Sequence, residues 1–331
     1  MSGRMLSEKR ILVLGGAGFI GSHVTHRLVE LGAKVRVLSR PGRSVQNLTG
    51  VIDDIELVFG NFSDEGHLRT SLEGIDQVVH LISTTFPATT TSSGIYDIES
   101  NIIPTLRLLQ ECVNKGVQKL VYLSSGGTVY GEPKTDPITE DHALDPKSIY
   151  GQSKKVIESY IEFFVRTRSL NTTTLRVSNA FGPRHNPYGV QGLIGVAMAC
   201  AIENRTVTIL GDGSAERDYI YVDDVVAGVI AALSTETADT VNLSSGQGRS
   251  VSEVLDTVER VSGRPVLRRF DANRDSDVNK NVLCNQRART LLNWSPQTEF
   301  EDGMRKTWQW IQSELGTLKP NDSSQSGNES K

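Results

Sequence analysis

Gly15-Gly16-Ala17-Gly18-Phe19-Ile20-Gly21 follows the apolar run Ile11–Leu14 at once and opens a stretch in which Ile20, Val24, Leu28 and Leu31 share one helical face. A strand, a glycine turn and an amphipathic helix in that order form a dinucleotide-binding signature. Gly15 permits the tight turn, Gly18 lets the backbone approach a pyrophosphate, and Gly21 lets helix and strand pack closely. The helix N-terminus then faces the phosphates. Phe19 and Ile20, the first residues of that helix, are assigned to the same cofactor contact.

Outward from this segment, short β-branched runs alternate with helical stretches as far as about Val177. The runs Ile11–Leu14, Lys34–Leu38, Ile55–Phe59, Gln77–Ile82, Lys119–Ser124 and Thr172–Val177 are read as strands. Ile98, Ile102, Leu106, Leu109 and Val113 form the stripe of another helix. The pattern predicts an α/β fold, a Rossmann doubly wound parallel sheet, over 1–178. Beyond Asn179 it loosens into loops, short strands (Val207–Leu210, Tyr219–Val222, Val241–Leu243) and helices near Val251–Val261 and Glu301–Leu315. Residues 179–316 are therefore expected to form mainly a smaller C-terminal substrate-binding lobe, with segments at about 218–250 returning to the main sheet. The polar run 317–331 is expected to be a disordered tail.

With 331 residues, 37% hydrophobic and 22% charged, the chain can bury a sizeable core without cross-links. A net charge of −4 provides no basic field, so nucleic acid is not an expected partner. Cys112, Cys200 and Cys284 lie far apart without zinc-type spacing, and no metal is expected. The polar start of the chain has no apolar signal core, and Gly192 to Ile202 is too short to span a bilayer and reads as a buried helix. A cytoplasmic location away from membranes is the expectation.

The second strand ends Val37-Leu38-Ser39-Arg40, with Arg43 close behind and no carboxylate to hold ribose hydroxyls. Ser39 and Arg40 suit a 2′-phosphate, so NAD and NADP both stand as cofactors. Asn61, Phe62 and Asp64, after the third strand, are placed to flank the adenine. Tyr150 and Lys154 stand four apart at the start of a helix, on one face. A free tyrosine, with a pKa near ~10, is a poor base at neutral pH, but a neighbouring ammonium favours its phenolate. Tyr150 is the candidate for proton exchange with a substrate hydroxyl, with Lys154 beside it on the cofactor.

Together with Ser124-Ser125-Gly126-Gly127-Thr128-Val129-Tyr130-Gly131 and Arg217-Asp218-Tyr219-Ile220-Tyr221-Val222-Asp223-Asp224, these motifs make the chain, over about residues 10 to 315, resemble the extended short-chain dehydrogenase/reductase superfamily, in particular its NAD-dependent epimerase/dehydratase family. The resemblance implies that Asn179 contacts nucleotide-sugar phosphates, that Arg217 and Arg274 grip the diphosphate and that Leu193 lines the nucleotide pocket. It also sets Leu81 against the cofactor and Thr84 against the substrate. Gly126 stands where the family's tyrosine-assisting Ser or Thr normally lies, so that hydroxyl is assigned first to Ser125, with Thr128 as the alternative. Gly127-Thr128 replaces the Asp-Glu pair of the dehydratases, which argues against 4,6-dehydration. Asn281 occupies the place of a bulky sugar-pocket aromatic and leaves room for a larger substituent.

These residues imply 4-epimerisation of a UDP-sugar through a transient 4-keto intermediate and bound NAD(P). A reductase of a nucleotide-linked 4-keto-6-deoxy sugar, with hydrogen bonding from Ser83–Thr85, is the alternative. The helices carrying Ile98 to Val113 and Ile157 to Phe164 resemble those that pair across a two-fold axis in this superfamily, so a homodimer is expected.

Overall fold

The computed structural model describes residues 6–86, 94–189, 191–236, 238–272 and 278–317. Strand β1 (Arg10–Leu14) leads into helix α1 (Phe19–Glu30), followed by β2 (Lys34–Ser39), β3 (Ile55–Phe59), α2 (Glu65–Ser71) and β4 (Gln77–His80). After α3 (Gly94–Asp97) comes a π-helical segment, Ile98–Ile102, that runs straight into α4 (Ile103–Lys115). Then follow β5 (Lys119–Ser125), α5 (Ile149–Arg168), β6 (Thr172–Val177) and β7 (Asn179–Phe181). The rest comprises α6 (Leu193–Glu203), β8 (Val207–Leu210), β9 (Glu216–Tyr221), α7 (Val222–Leu233), β10 (Thr240–Leu243), β11 (Gly248–Ser250), α8 (Val251–Ser262), β12 (Arg268–Asp271), β13 (Lys280–Asn281), α9 (Gln286–Leu292) and α10 (Phe300–Thr317).

Seven strands form one sheet in the order β10-β6-β5-β4-β1-β2-β3, every neighbouring pair parallel. Helices cover both faces, which is why β4 and β6 are buried at every residue and show no alternation of buried and exposed positions. One core, with Val13, Val24, Leu28 and Val229, lies under α1 and α7; the other, with Leu14, Leu109, Tyr122 and Ile157, lies under α4 and α5. The strand order reverses between β1 and β4, and a sheet of this kind opens a crevice there, at the carboxyl ends of its strands. A third core, around Met198, Leu255, Met304 and Trp308, belongs to α6, α8 and α10. Beside it β9 pairs with β7, β11 and β13, and β8 pairs with β12.

Two elements depart from the pattern read in the sequence. Val222, expected to close a strand, begins α7. That helix is buried nearly all round, so its apolar residues show no single face, although Asp223 and Asp224 stand in its first turn, where the helix dipole favours negative charge. The stripe from Ile98 to Val113 is interrupted as well. The π segment inserts an offset, leaving Ile98 exposed while Ile102, Leu108, Leu109 and Cys112 turn inward. The stretch expected to form a tail lies outside the described residues after α10 ends at Thr317. Among the described residues no helix is long and apolar enough to cross a membrane, and the three cysteines are unpaired.

Candidate active site

Gly21 is the tightest point of the glycine loop. A Cβ there would overlap the Gly15 carbonyl oxygen, so helix α1 reaches its position over β1 only with glycine. The Gly18 N–H donates to that same carbonyl at 3.0 Å, closing the turn, and Gly15 takes a φ of 89°. Gly18, the N-cap of α1, has no side-chain cap, so the helix presents bare N–H groups to the crevice. That arrangement fits a pyrophosphate.

Two clefts of about 610 Å³ and 350 Å³ meet at this loop and share Gly15, Gly18, Arg43, Leu81 and Ser83 as walls. The smaller holds Ser39, Arg40, Asn61, Phe62 and Thr84. Asp64 caps α2 instead, its Oδ1 accepting the His67 N–H at 2.8 Å. No carboxylate lines this cleft, and Arg40 and Arg43 are the charged groups at its edge. The larger cleft brings together Phe19, Ile20, Ser125, Thr128, Tyr150, Lys154, Asn179 and Leu193, residues from five separate stretches of the chain. The volumes and the uncapped glycine turn suit a dinucleotide laid from Ser39 to Tyr150.

Ser148 caps α5 by accepting the Gly151 N–H at 3.1 Å, which places Tyr150 and Lys154 in the first turns, facing the ends of β4 and β5. The Lys154 ammonium, 5% exposed, donates to the Leu123 carbonyl at 2.9 Å and lies 4.8 Å from the Tyr122 ring centre and 5.8 Å from that of Tyr150. Burial pushes Lys154 down to about 8, a fall opposed by Glu158 and Asp97. Burial likewise pushes the Tyr150 phenol up to about 12, opposed by its hydrogen bond with Ser125. In the protein alone, removal from water dominates the phenol, and the Asp97 carboxylate adds to the rise.

The hydroxyl beside Tyr150 is that of Ser125. Thr128 lines the cleft with its Oγ1 buried and without a partner among the described residues. A Cβ at Gly126 would overlap Leu283 Cδ1 and crowd the Arg176 and Val177 carbonyls, so a side chain there points at the core and not at Tyr150. Asn179 donates its amide to the Asp218 carbonyl at 3.0 Å. Arg217 and Asn281 do not line either of these clefts: the Arg217 guanidinium reaches the Glu216 carbonyl, and the buried Asn281 amide donates to the Gly126 carbonyl at 3.2 Å. Arg274 lies outside the described residues.

His185 and Tyr219 line the larger cleft without having been singled out in the sequence. The His185 ring stacks on Phe19, centroids 4.4 Å apart and 4° from parallel, and burial holds it down to about 4, neutral at physiological pH. Contact between residues so far apart in the chain leaves no periodic trace.

A glycine-lined crevice that continues into a cleft holding a tyrosine and a buried lysine defines a Rossmann-fold enzyme of the dinucleotide-dependent class. Residues 11–244 match the model of the NAD dependent epimerase/dehydratase family, and the chain belongs to that family. It is similar to a putative UDP-glucose 4-epimerase of Methanocaldococcus jannaschii, 31% identical over 91% of this chain and 98% of the relative. It is also similar in structure to a UDP-glucose 4-epimerase of Thermotoga maritima with UDP-glucose, at 33% identity and a TM-score of 0.87 over 92% and 99% of the two chains. A Thermus thermophilus UDP-glucose 4-epimerase in complex with NAD has 29% identity and a TM-score of 0.83, covering 92% and 99%.

The crowding at Gly126 makes a specific prediction. Gly126→Ser is expected to destabilise the protein by about 2 kcal/mol, through overpacking against Leu283, without raising turnover. Urea unfolding measures the first effect; an active, equally stable variant would show that the residue-126 side chain reaches the cleft after all.

Proposed function

We propose that the protein is a nucleotide-sugar 4-epimerase acting on a UDP-sugar. The observation that carries this reading is the Ser125–Tyr150–Lys154 cluster in the larger cleft, in a chain of this family. In this reading Ser125 and Tyr150 hold the sugar 4-oxygen between them, and Tyr150 takes its proton and later returns it. Lys154, still charged below about pH 8, favours the phenolate and, lining the same cleft, would help hold the cofactor. A nicotinamide dinucleotide held along the Gly15–Gly21 loop would supply the hydride acceptor and donor for C4, the sugar passing through its 4-keto form. Stacked Phe19 and His185 shield the crevice from water during that interval. Residues 1–178, with the returning segments at about 218–250, hold the cofactor, and 179–316 the nucleotide sugar. Asn179, Leu193, Arg217, Arg274 and Asn281 are assigned to that second task, and Thr84 to the sugar. Arg217 and Asn281 take it up only if the lobe closes around the ligand.

Tyr150→Phe is expected to lower turnover by orders of magnitude with the fold intact, and Ser125→Ala by about 100-fold. The assay is a panel of UDP-, dTDP- and GDP-sugars with and without NADPH. Stoichiometric NADPH consumption without interconversion of C4 epimers would replace this reading by the 4-ketoreductase.

Ser39 and Arg40 in the smaller cleft, with Arg43 shared between the two clefts, also support binding of a 2′-phosphate. NADP is expected to bind more tightly than NAD, and Arg40→Asp to reverse the order. Titration calorimetry checks this, and equal affinities in both proteins would make the arginines spectators.

The exposed Tyr96, Ile98, Ile103, Tyr160 and Phe163 side chains, on the π segment and on α3, α4 and α5, support a homodimer that buries them. Light scattering at micromolar concentration is expected to give twice the chain mass of 36.2 kDa. A monomer would dismiss the assembly.

A further inference from the structure

Beside Tyr150 and Lys154, the π segment, Asp97 and the stretch from Ile82 to Thr85 after β4 enclose a second polar group. Asp97 is 2% exposed. Its Oδ1 accepts from the Thr85 hydroxyl and, at 3.0 Å, from the Asn101 amide. The Asn101 side-chain oxygen in turn accepts the Thr84 N–H at 2.9 Å, and the Thr105 hydroxyl donates to the Asn101 backbone carbonyl at 2.7 Å. This clamp accounts for one carboxylate oxygen. The other, Oδ2, is buried without a hydrogen-bond partner among the described residues. Asp97 borders a cavity of about 10 Å³ whose walls also include Tyr150, Ser153 and Lys154. A space of that size admits the centre of one water molecule, given polar groups to hold it.

A buried carboxylate oxygen with no partner is costly, and so is a buried ammonium with one of its three hydrogens accounted for by Leu123. We propose that Asp97 is a positioning residue of the Tyr150–Lys154 pair, its Oδ2 joined to the Lys154 ammonium through a single water in the shared cavity, so that Lys154 stays charged and in place. The other ionisable groups facing Lys154 are Tyr122 and His80 from the sheet and Tyr150 and Glu158 from its own helix. Tyr122 is held protonated by burial and His80 is held neutral, down to about 3, by burial and by Lys154 itself. Asp97 and Glu158 are therefore the two counter-charges, and Glu158 is already committed to Arg176 at 2.7 Å. The arrangement supports the role given to Lys154 in the proposed epimerase, yet it is testable without any substrate.

Asp97→Asn preserves size and the Oδ1 acceptor, so the Thr85 and Asn101 bonds survive while the charge is lost. The titration of Lys154 is followed in the ligand-free full chain by nitrogen-15 NMR of the lysine ammonium groups, with the signal assigned by its loss in Lys154→Met. In Asp97→Asn the midpoint is expected to fall by about one pH unit or more. Asn101→Ala, which loosens the clamp and keeps the charge, is expected to leave it unmoved. An equal midpoint in wild type and Asp97→Asn would overturn the proposal. Should Asp97→Asn not fold, a high-resolution crystal structure of the wild type decides: a water bonded to both Asp97 Oδ2 and Lys154 Nζ supports it, and a dry cavity overturns it. A shifted midpoint in a protein that interconverts no nucleotide sugar would remove the epimerase reading and leave this one standing.

Discussion

A lysine ammonium sealed inside the protein is the constraint on which the rest of the site depends. Taking Lys154 out of water favours its neutral form, and the structure opposes this with the Leu123 carbonyl, the Tyr122 ring and two carboxylates. The ring and the carbonyl come from adjacent residues of β5, and the carboxylates from α3 and α5. Glu158, one turn beyond Lys154, pairs with Arg176 on β6; Arg176 also donates to Tyr130 at 3.0 Å, and the Tyr130 hydroxyl donates to Asn242 on β10 at 2.6 Å. The helix that carries the tyrosine and lysine is thereby tied to two strands of the sheet, β6 and β10. A one-residue slip of α5 would strand buried charge, so the register of the reactive pair follows from electrostatics as much as from apolar packing.

The second determinant is the closeness of α1 to β1. With Gly21 against the Gly15 carbonyl and no side-chain cap at Gly18, the helix brings bare N–H groups to the crevice at the β1–β4 reversal. The two clefts meet there, so anything bound across them passes the loop, with Arg43 and Leu81 touching both halves. The Phe19–His185 stack joins the glycine loop to the segment after β7. It thus links the dinucleotide end of the crevice to the part of the chain that leads into the lobe. Proton transfer and hydride transfer both need water kept away, and a neutral, stacked imidazole forms an apolar wall that a charged one would not.

Much of this was legible in the chain itself. The strand–glycine–helix segment, the alternation to Val177 and the four-residue spacing of Tyr150 and Lys154 are local patterns, set by backbone conformation and by the repeat of strand and helix. Such patterns identify the sheet, the dinucleotide loop and the reactive pair because each requires particular residues at neighbouring positions. Even Ser125, read from a motif, sits within a strand end whose direction the sequence implies.

What only the tertiary structure decided are the relations between distant segments. The π offset at Ile98–Ile102 arises where the helix meets the β4 end, and no apolar repeat announces it. The direction of a side chain at Gly126 depends on Leu283, more than 150 positions away, and the partners of Lys154 depend on how β4, β5 and α5 are stacked. Tyr150 reads from sequence as a group that its lysine neighbour would make acidic, but in the fold its burial prevails. Desolvation is a property of everything packed around a residue, whereas a sequence records only its neighbours along the chain.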